Sequence, residues 1–266
     1  ALFNKQVSFK NLNLLIIDEE HKFGVRQKER IRSMKSSINV LSLSATPIPR
    51  TLNLSLSKVR DISLITTPPV GRKSVKTIVS RYSKSLVYEA IQREFYRDGQ
   101  VFYLLNNVSA LEDKRNEIYK RFPDKTIAFA HGQLKPKELA AIMQKFIEKK
   151  IDLLVCTTII ESGIDIENAN TLIVENSENY GLSQLHQIRG RVGRSKREAF
   201  AYFFLNKDKD LKNKALERIN ALQENESLLS GFSLAMRDLE IRGAGELLGE
   251  KQSGAIDVVG LTLFFT

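Results

Sequence analysis

Short apolar runs alternate with amphipathic stretches along most of this chain, and that alternation predicts its elements. "LNLLIID" (12–18) and "INVLSLS" (38–44) read as buried strands on either side of a helix near 25–35. Together they form one βαβ unit with an expected right-handed crossover. "TTPPVGRKS" (66–74) interrupts both the helical and the strand period and reads as a linker. Beyond it the pattern predicts helix 84–97, strand 100–106, helix 109–122, strand 126–130 and helix 136–149. Strands 151–156 and 171–175, helix 182–192 and strand 200–205 follow. Such an order makes an α/β domain with a parallel sheet and helices on both faces. From about 207 to 240 two helical stretches read as a hairpin with "ENES" at its turn, and the tail "RGAGELLGEKQSGAIDVVG" reads as a glycine-rich loop.

Composition narrows the picture. The 266 residues suffice for two domains with separate cores. Lys and Arg number 41 against 31 acids, a net charge of +10, which favours a polyanionic partner. The excess is concentrated: residues 181–218 hold ten Lys/Arg and four Asp/Glu. One cysteine, Cys156, lies inside the apolar run "IDLLVCTT" and reads as a small buried hydrophobe. No disulfide framework is possible within the chain, which fits a cytoplasmic location. No apolar run approaches the ~20 residues of a membrane span.

Four stretches carry candidate chemistry. In "LLIIDEEH" an apolar strand runs straight into Asp18, Glu19, Glu20 and His21. In open α/β sheets the carboxyl ends of strands face the ligand crevice. Asp18 there is suited to hold Mg²⁺ through water, and Glu19 to orient or deprotonate a water that attacks a phosphate. A solvated acidic loop explains the tetrapeptide equally well. "LSLSATPIPR" ends another strand in Ser44, Ala45 and Thr46, with Pro47 and Pro49 stiffening the exit. Its hydroxyls can hydrogen-bond the acidic loop, or simply mark a strand-to-turn junction. In "CTTIIESGIDIENANT" Thr157 and Thr158 end a strand with groups suited to phosphate oxygens. Gly163 permits close backbone approach and Asp165 can accept from a ribose hydroxyl, although a lone G-x-D says little.

"LHQIRGRVGRSKRE" (185–198) is the most telling stretch. On a helix over 182–192, Gln187, Arg191 and Arg194 share one face. Gly190 and Gly193 cost helix stability and remove bulk, which suggests close approach to something. The arginine fork spreads charge over two phosphoryl oxygens, as arginine fingers do in phosphoryl transfer. Arg237 and Arg242 flank a later helix end, with glycines at 243, 245 and 249 suited to a jointed loop. The three histidines, His21, His131 and His186, have no metal-binding spacing.

Taken in order, "DEEH", "SATPIPR", "TTIIESGIDI" and "QIRGRVGR" resemble motifs II, III, V and VI of superfamily 2 helicases and translocases. "RDLEIRGAGELLGEKQSG" resembles the translocation motif of the RecG and transcription-repair coupling factor families. "DEEHKFGVRQKERIRSM", "HGQLKPKEL" and "LSLSATPIPRTLN" place it closer to the coupling factors.

The resemblance implies a RecA-like α/β fold. Residues 1–66 would be the C-terminal part of motor domain 1, 67–74 a linker, 75–206 motor domain 2, and 207–266 the hairpin and translocation motif. It implies ATP and Mg²⁺ as cofactors and double-stranded DNA as substrate. RNA polymerase and excision-repair proteins would be partners through other domains. Asp18 would bind the metal, Glu19 would activate water, and Arg191 and Arg194 would act as fingers. Glu20, His21, Gly163, Asp165 and Gln187 would face the nucleotide. Ser44, Thr46, Thr157, Thr158, Arg237, Arg242 and Gln252 would contact or couple to DNA.

One part of the pattern is missing. Such motors carry a P-loop, G-x-x-x-x-G-K-[ST], ahead of motif II. It does not occur here, and Gly24 is the only glycine before residue 71. The chain therefore reads as a fragment, expected to hydrolyse no ATP by itself and to self-associate through its incomplete first domain. A RecG-type fork-remodelling helicase and a non-enzymatic basic DNA-binding module are the competing readings.

Overall fold

A computed structural model describes residues 7, 10–19, 23–24, 26–27, 31, 33, 38–44, 63–65, 67, 73–161, 166–207, 213–224 and 231–242. Two parallel sheets are present among them. The first pairs β1 (Leu14–Asp18) with β2 (Asn39–Leu43), Ile16 standing opposite Leu41. Between them residues 26, 27, 31 and 33 are helical, and Ile31 is fully buried. This is the predicted βαβ unit. Its strands are short of cover on one face, where Leu14, Ile16, Leu41 and Leu43 are 53%, 58%, 49% and 44% exposed.

The second sheet has six strands. In chain order its elements are β3 (Val75–Arg81), α1 (Lys84–Tyr96), β4 (Gln100–Leu104), α2 (Leu111–Arg121), β5 (Ile127–Ala130) and α3 (Pro136–Ile147). There follow β6 (Leu153–Cys156), β7 (Ala169–Val174), α4 (Leu182–Arg189) and β8 (Ala199–Leu205). A helical pair, α5 (Asn213–Glu224) and α6 (Gly231–Arg242), completes the described chain. Strand order is β3-β8-β7-β4-β6-β5, every pairing parallel. Parallel sheets need helical cover on both faces, so their central strands are mostly apolar. Strands β4, β6, β7 and β8 are buried at every position.

The period of two sorts those side chains into two cores. Phe102, Leu104, Leu154, Cys156, Leu172 and Phe203 pack under α3, α4 and the helical pair. Val101, Tyr103, Val155, Ile173, Tyr202 and Phe204 pack under α1 and α2. Cys156 is fully buried, and burial pushes its thiol pKa up, as suits an inert core residue.

Buried polar brackets fix the amino-terminal ends of the strands. Gln100 donates to the carbonyls of Phe146 and Ile151, both at 2.7 Å, and so fastens the end of α3 to β4. Glu94, fully buried, accepts from Thr171 of β7 and from Arg97. A Cβ on Gly99 would fall 1.6 Å from the Glu94 carboxylate, so only glycine fits beside it.

Two expectations need correction. Strand β3, "VKTIVSR", was absent from the elements the sequence pattern predicted. It contains two long polar side chains and a β-branched core, and it lies at the sheet edge, where burial is partial. The predicted helix 182–192 ends at Arg189, with Gly190 as its cap and Arg191 already in a turn. Arg191 and Arg194 therefore do not extend a helical face from Gln187.

Candidate nucleotide site at the strand ends

Parallel strands deliver their carboxyl ends to one edge, where Asp18, Glu19, Ser44, Thr157 and Thr158 lie, whereas the arginine-bearing turn after α4 lies against Ala169, Ala199 and Val75, at the amino-terminal ends of β7, β8 and β3. Asp18 closes β1 and is exposed. Glu19 follows in the left-handed region, φ 51°, with its amide donating to the Leu43 carbonyl at 3.0 Å. A non-glycine residue held there stores strain, a feature common at functional sites. The turn aims the Glu19 carboxylate at the other sheet: Gln187 Nε2 donates to Glu19 Oε2 at 3.3 Å. Gln187 is buried on α4. This contact joins residues 168 positions apart and brings the acidic strand end to the arginine-rich segment.

That segment is shaped by Gly193. Its φ is +73°, and a Cβ there would lie 2.9 Å from Ala199 Cβ and 3.0 Å from Val75 Cγ2. The chain thus turns back tightly onto β8 and β3, and Arg191 and Arg194 project from the turn, both half-buried. Arg194 Nε donates to the Gly190 carbonyl at 3.3 Å. The sequence pattern suggests close approach to something at these glycines. At Gly193 the close neighbour is the sheet itself, and at Gly190 a Cβ would make ordinary contacts at 3.4 and 3.5 Å.

Thr157 and Thr158 lie at the end of β6, half-buried, with the Thr157 amide donating to the Ala130 carbonyl. Ser44 follows β2 and is exposed. Arg237 lies exposed on α6, and Arg242 ends that helix. Glu20, His21, Thr46, Gly163, Asp165 and Gln252 lie outside the described residues.

The donor set suits a magnesium nucleotide. Mg²⁺ is held by one or two carboxylates plus substrate phosphates, keeping several waters. Asp18 supplies such a carboxylate at a solvent-facing strand end. Among the described residues there is no cluster of three His, Cys, Asp or Glu that would make a self-sufficient metal cage. Guanidinium groups such as those of Arg191 and Arg194 are of a kind that matches phosphoryl oxygens.

Arg189 went unremarked in the sequence. It is 4% exposed, and donates to the Leu222 carbonyl at 2.8 Å and to Thr77 Oγ1 at 3.3 Å. Its guanidinium also faces His186 Nδ1 at 3.3 Å. Burial and this neighbour push the His186 pKa down to about 4, so the ring is neutral near pH 7. The signal was present: Arg189 falls four positions after the core residue Leu185, on the inward face of α4.

Comparison with known proteins bears on what this edge does. The helicase conserved C-terminal domain family matches residues 83–196, and the DEAD/DEAH box helicase family matches residues 1–54. Transcription-repair-coupling factors of Staphylococcus haemolyticus and of Staphylococcus aureus strain USA300 are 52% identical over 263 residues, 99% of this chain. Along nearly its whole length the chain is similar to transcription-repair-coupling factors. It spans 22% of the length of those relatives. Among solved structures, RecG bound to a three-way DNA junction superposes with a TM-score of 0.70 at 36% identity, covering 93% of this chain and 32% of that one. The Mycobacterium smegmatis helicase Lhr, bound to ssDNA and AMP-PNP, superposes at 0.58 over 81% of this chain and 31% of its own, at 15% identity, which speaks to fold alone. The fold is the RecA-like α/β fold of the helicases.

Proposed function

We propose that this chain is part of an ATP-driven double-stranded DNA translocase that displaces stalled RNA polymerase and so couples transcription to nucleotide excision repair. The Gln187–Glu19 contact supports the reading, because it joins the acidic end of β1 to α4, the helix that leads into the arginine turn, across two separate sheets. In this reading residues 1–66 and 75–206 are parts of two motor domains joined by 67–74, and 207–266 is the translocation segment. Asp18 holds Mg²⁺, Glu19 activates water, and Arg191 and Arg194 stabilise charge on the transferred phosphoryl group. Gln187 orients Glu19, with Glu20, His21, Gly163 and Asp165 beside the nucleotide. Ser44, Thr46, Thr157, Thr158, Arg237, Arg242 and Gln252 couple the cycle to DNA. ATP supplies the phosphoryl group whose hydrolysis drives the motor. The high identity to coupling factors supports polymerase and repair proteins as partners and a cytoplasmic setting.

The sequence holds no P-loop, so this chain alone hydrolyses no ATP. Glu19→Gln in the full-length protein tests the assignment. DNA-stimulated ATP turnover should fall by about 10²-fold or more with ATP still bound, and polymerase displacement should vanish. Turnover that survives the substitution would remove Glu19 from the mechanism. The likeness to RecG supports a second reading, fork remodelling. A full-length protein that regresses model forks but leaves a stalled polymerase in place would favour it. A protein that binds DNA without any ATP turnover would instead be a binding module.

A further inference from the structure

The turn that carries Arg191 and Arg194 is held differently before and after Arg194. Before it, Val192 is fully buried, and the Gly193 amide donates to the Ala169 carbonyl at 3.4 Å. The missing Cβ of Gly193 lets the backbone pack on Ala199 and Val75. After Arg194, residues 195–198 run without helix or strand until β8 begins at Ala199. There Ser195 Oγ donates to Asn170 Oδ1 at 2.9 Å and accepts from the Arg197 amide at 3.2 Å. Asn170, the second residue of β7, is fully buried. Asparagine is depleted in strands and in cores, so its place there calls for polar partners. Its Nδ2 donates to the Asn168 carbonyl at 3.1 Å, which orients the side-chain amide with Oδ1 toward Ser195. Removing the serine hydroxyl would strip that buried acceptor of its donor.

We infer that Asn170 and Ser195 form a clasp that positions Arg194 for phosphoryl transfer. The inference rests on the finger role proposed above for Arg194 and adds what holds that residue in place. Gly193 and Ser195 are its immediate neighbours, and they are tied to consecutive residues of β7, Ala169 and Asn170. The backbone of Arg194 is thereby held on both sides from one strand end. Its Nε donates to the Gly190 carbonyl at 3.3 Å, which steadies the side chain as well. A guanidinium ordered in advance meets developing phosphoryl charge without further reorganisation, the condition for transition-state stabilisation. Without the clasp only the Gly193 side of Arg194 stays tied to β7. The cost of ordering it then falls on the chemical step rather than on ATP binding. Asn170 and Ser195 act through Arg194, as positioning residues.

The test is DNA-stimulated ATP turnover by the full-length protein, with kcat and KM separated. Ser195→Ala should lower kcat about tenfold and leave the KM for ATP within about twofold. Ser195→Thr keeps the hydroxyl and should restore most of kcat. Ser195→Ala added to Arg194→Ala should lower kcat further by no more than about twofold, since no finger is left to position. Asn170→Ala should reproduce the loss from the other side of the bond. Should that buried substitution fail to fold, the half-buried Ser195 carries the test by itself. An unchanged kcat in Ser195→Ala, a threonine variant no better than alanine, or the same loss repeated in the Arg194→Ala background would each overturn the clasp. Wild-type turnover by Arg194→Ala alone would instead defeat the finger reading on which the clasp depends.

Discussion

His186 shows how far a single side chain can depart from its ordinary chemistry. Its ring is held neutral by burial and by Arg189, with a pKa near 4 against 6.5 in the open chain. As pH falls below 6.5 the unfolded chain takes up a proton that the folded state refuses until about 4. Stability is therefore full above that window and declines through it, by on the order of 3 kcal/mol. Denaturant melts at pH 7 and pH 4.5 should show this loss, and His186→Gln should remove most of it. An equal acid loss in both proteins would assign the effect to other groups. Glu117 illustrates the opposite case. Burial acts to raise its pKa but is outweighed by hydrogen bonds from Lys84 and Lys114, which bring it to about 2.

At the scale of elements, the turn after α4 decides where the arginines point. A straight continuation of that helix would have set Arg191 four residues beyond Gln187 on one face. The chain instead stops at Arg189 and folds back through the positive φ of Gly193 onto Ala199 and Val75. Gly193→Ala forces both strain and overlap there, and should cost about 2–3 kcal/mol in a chemical melt. Arg191 and Arg194 would shift with it, so on the function proposed above ATP turnover in the full-length protein should fall more than ATP affinity. A neutral alanine variant would contradict this account of the turn. Elements with long apolar runs, such as "VFYLL" and "IDLLVC", were legible because their positions are buried on both sides. Strand β3 was not, because an edge strand pairs on one side and tolerates Lys76 and Arg81.

For the molecule as a whole, two properties follow from its surface. The charge of +10 and the arginine-rich segment favour a phosphate backbone as partner. Binding of this chain to duplex DNA should be independent of sequence and steep in salt. With about four phosphate contacts, a fourfold rise in salt weakens it ~100-fold. A salt-indifferent affinity, read by fluorescence anisotropy, would exclude backbone contacts as its source. The uncovered face of the β1–β2 sheet presents Leu14, Ile16, Leu41 and Leu43 side by side. A second copy of the chain is expected to cover it, giving concentration-dependent association by light scattering. Ile16→Lys should reduce that association, and a chain that stays monomeric at high concentration would argue against it.

The sequence by itself determined the α/β class, the parallel alternation and the identity of the acidic and basic motifs. Those depend on periodicity and on residue types in fixed local order, such as "LLIID" running into "EEH" or "QIRGRVGR". Tertiary structure alone decided which groups meet. The Gln187–Glu19 contact closes across 168 residues, and no local pattern encodes a distance between two sheets. It also decided that Arg189 is buried on α4 while Arg191, two residues later, is half-buried in a turn. In sequence the two are alike; what separates them is that Arg189 ends the helix against an open carbonyl of α5, while Arg191 falls in the turn that follows.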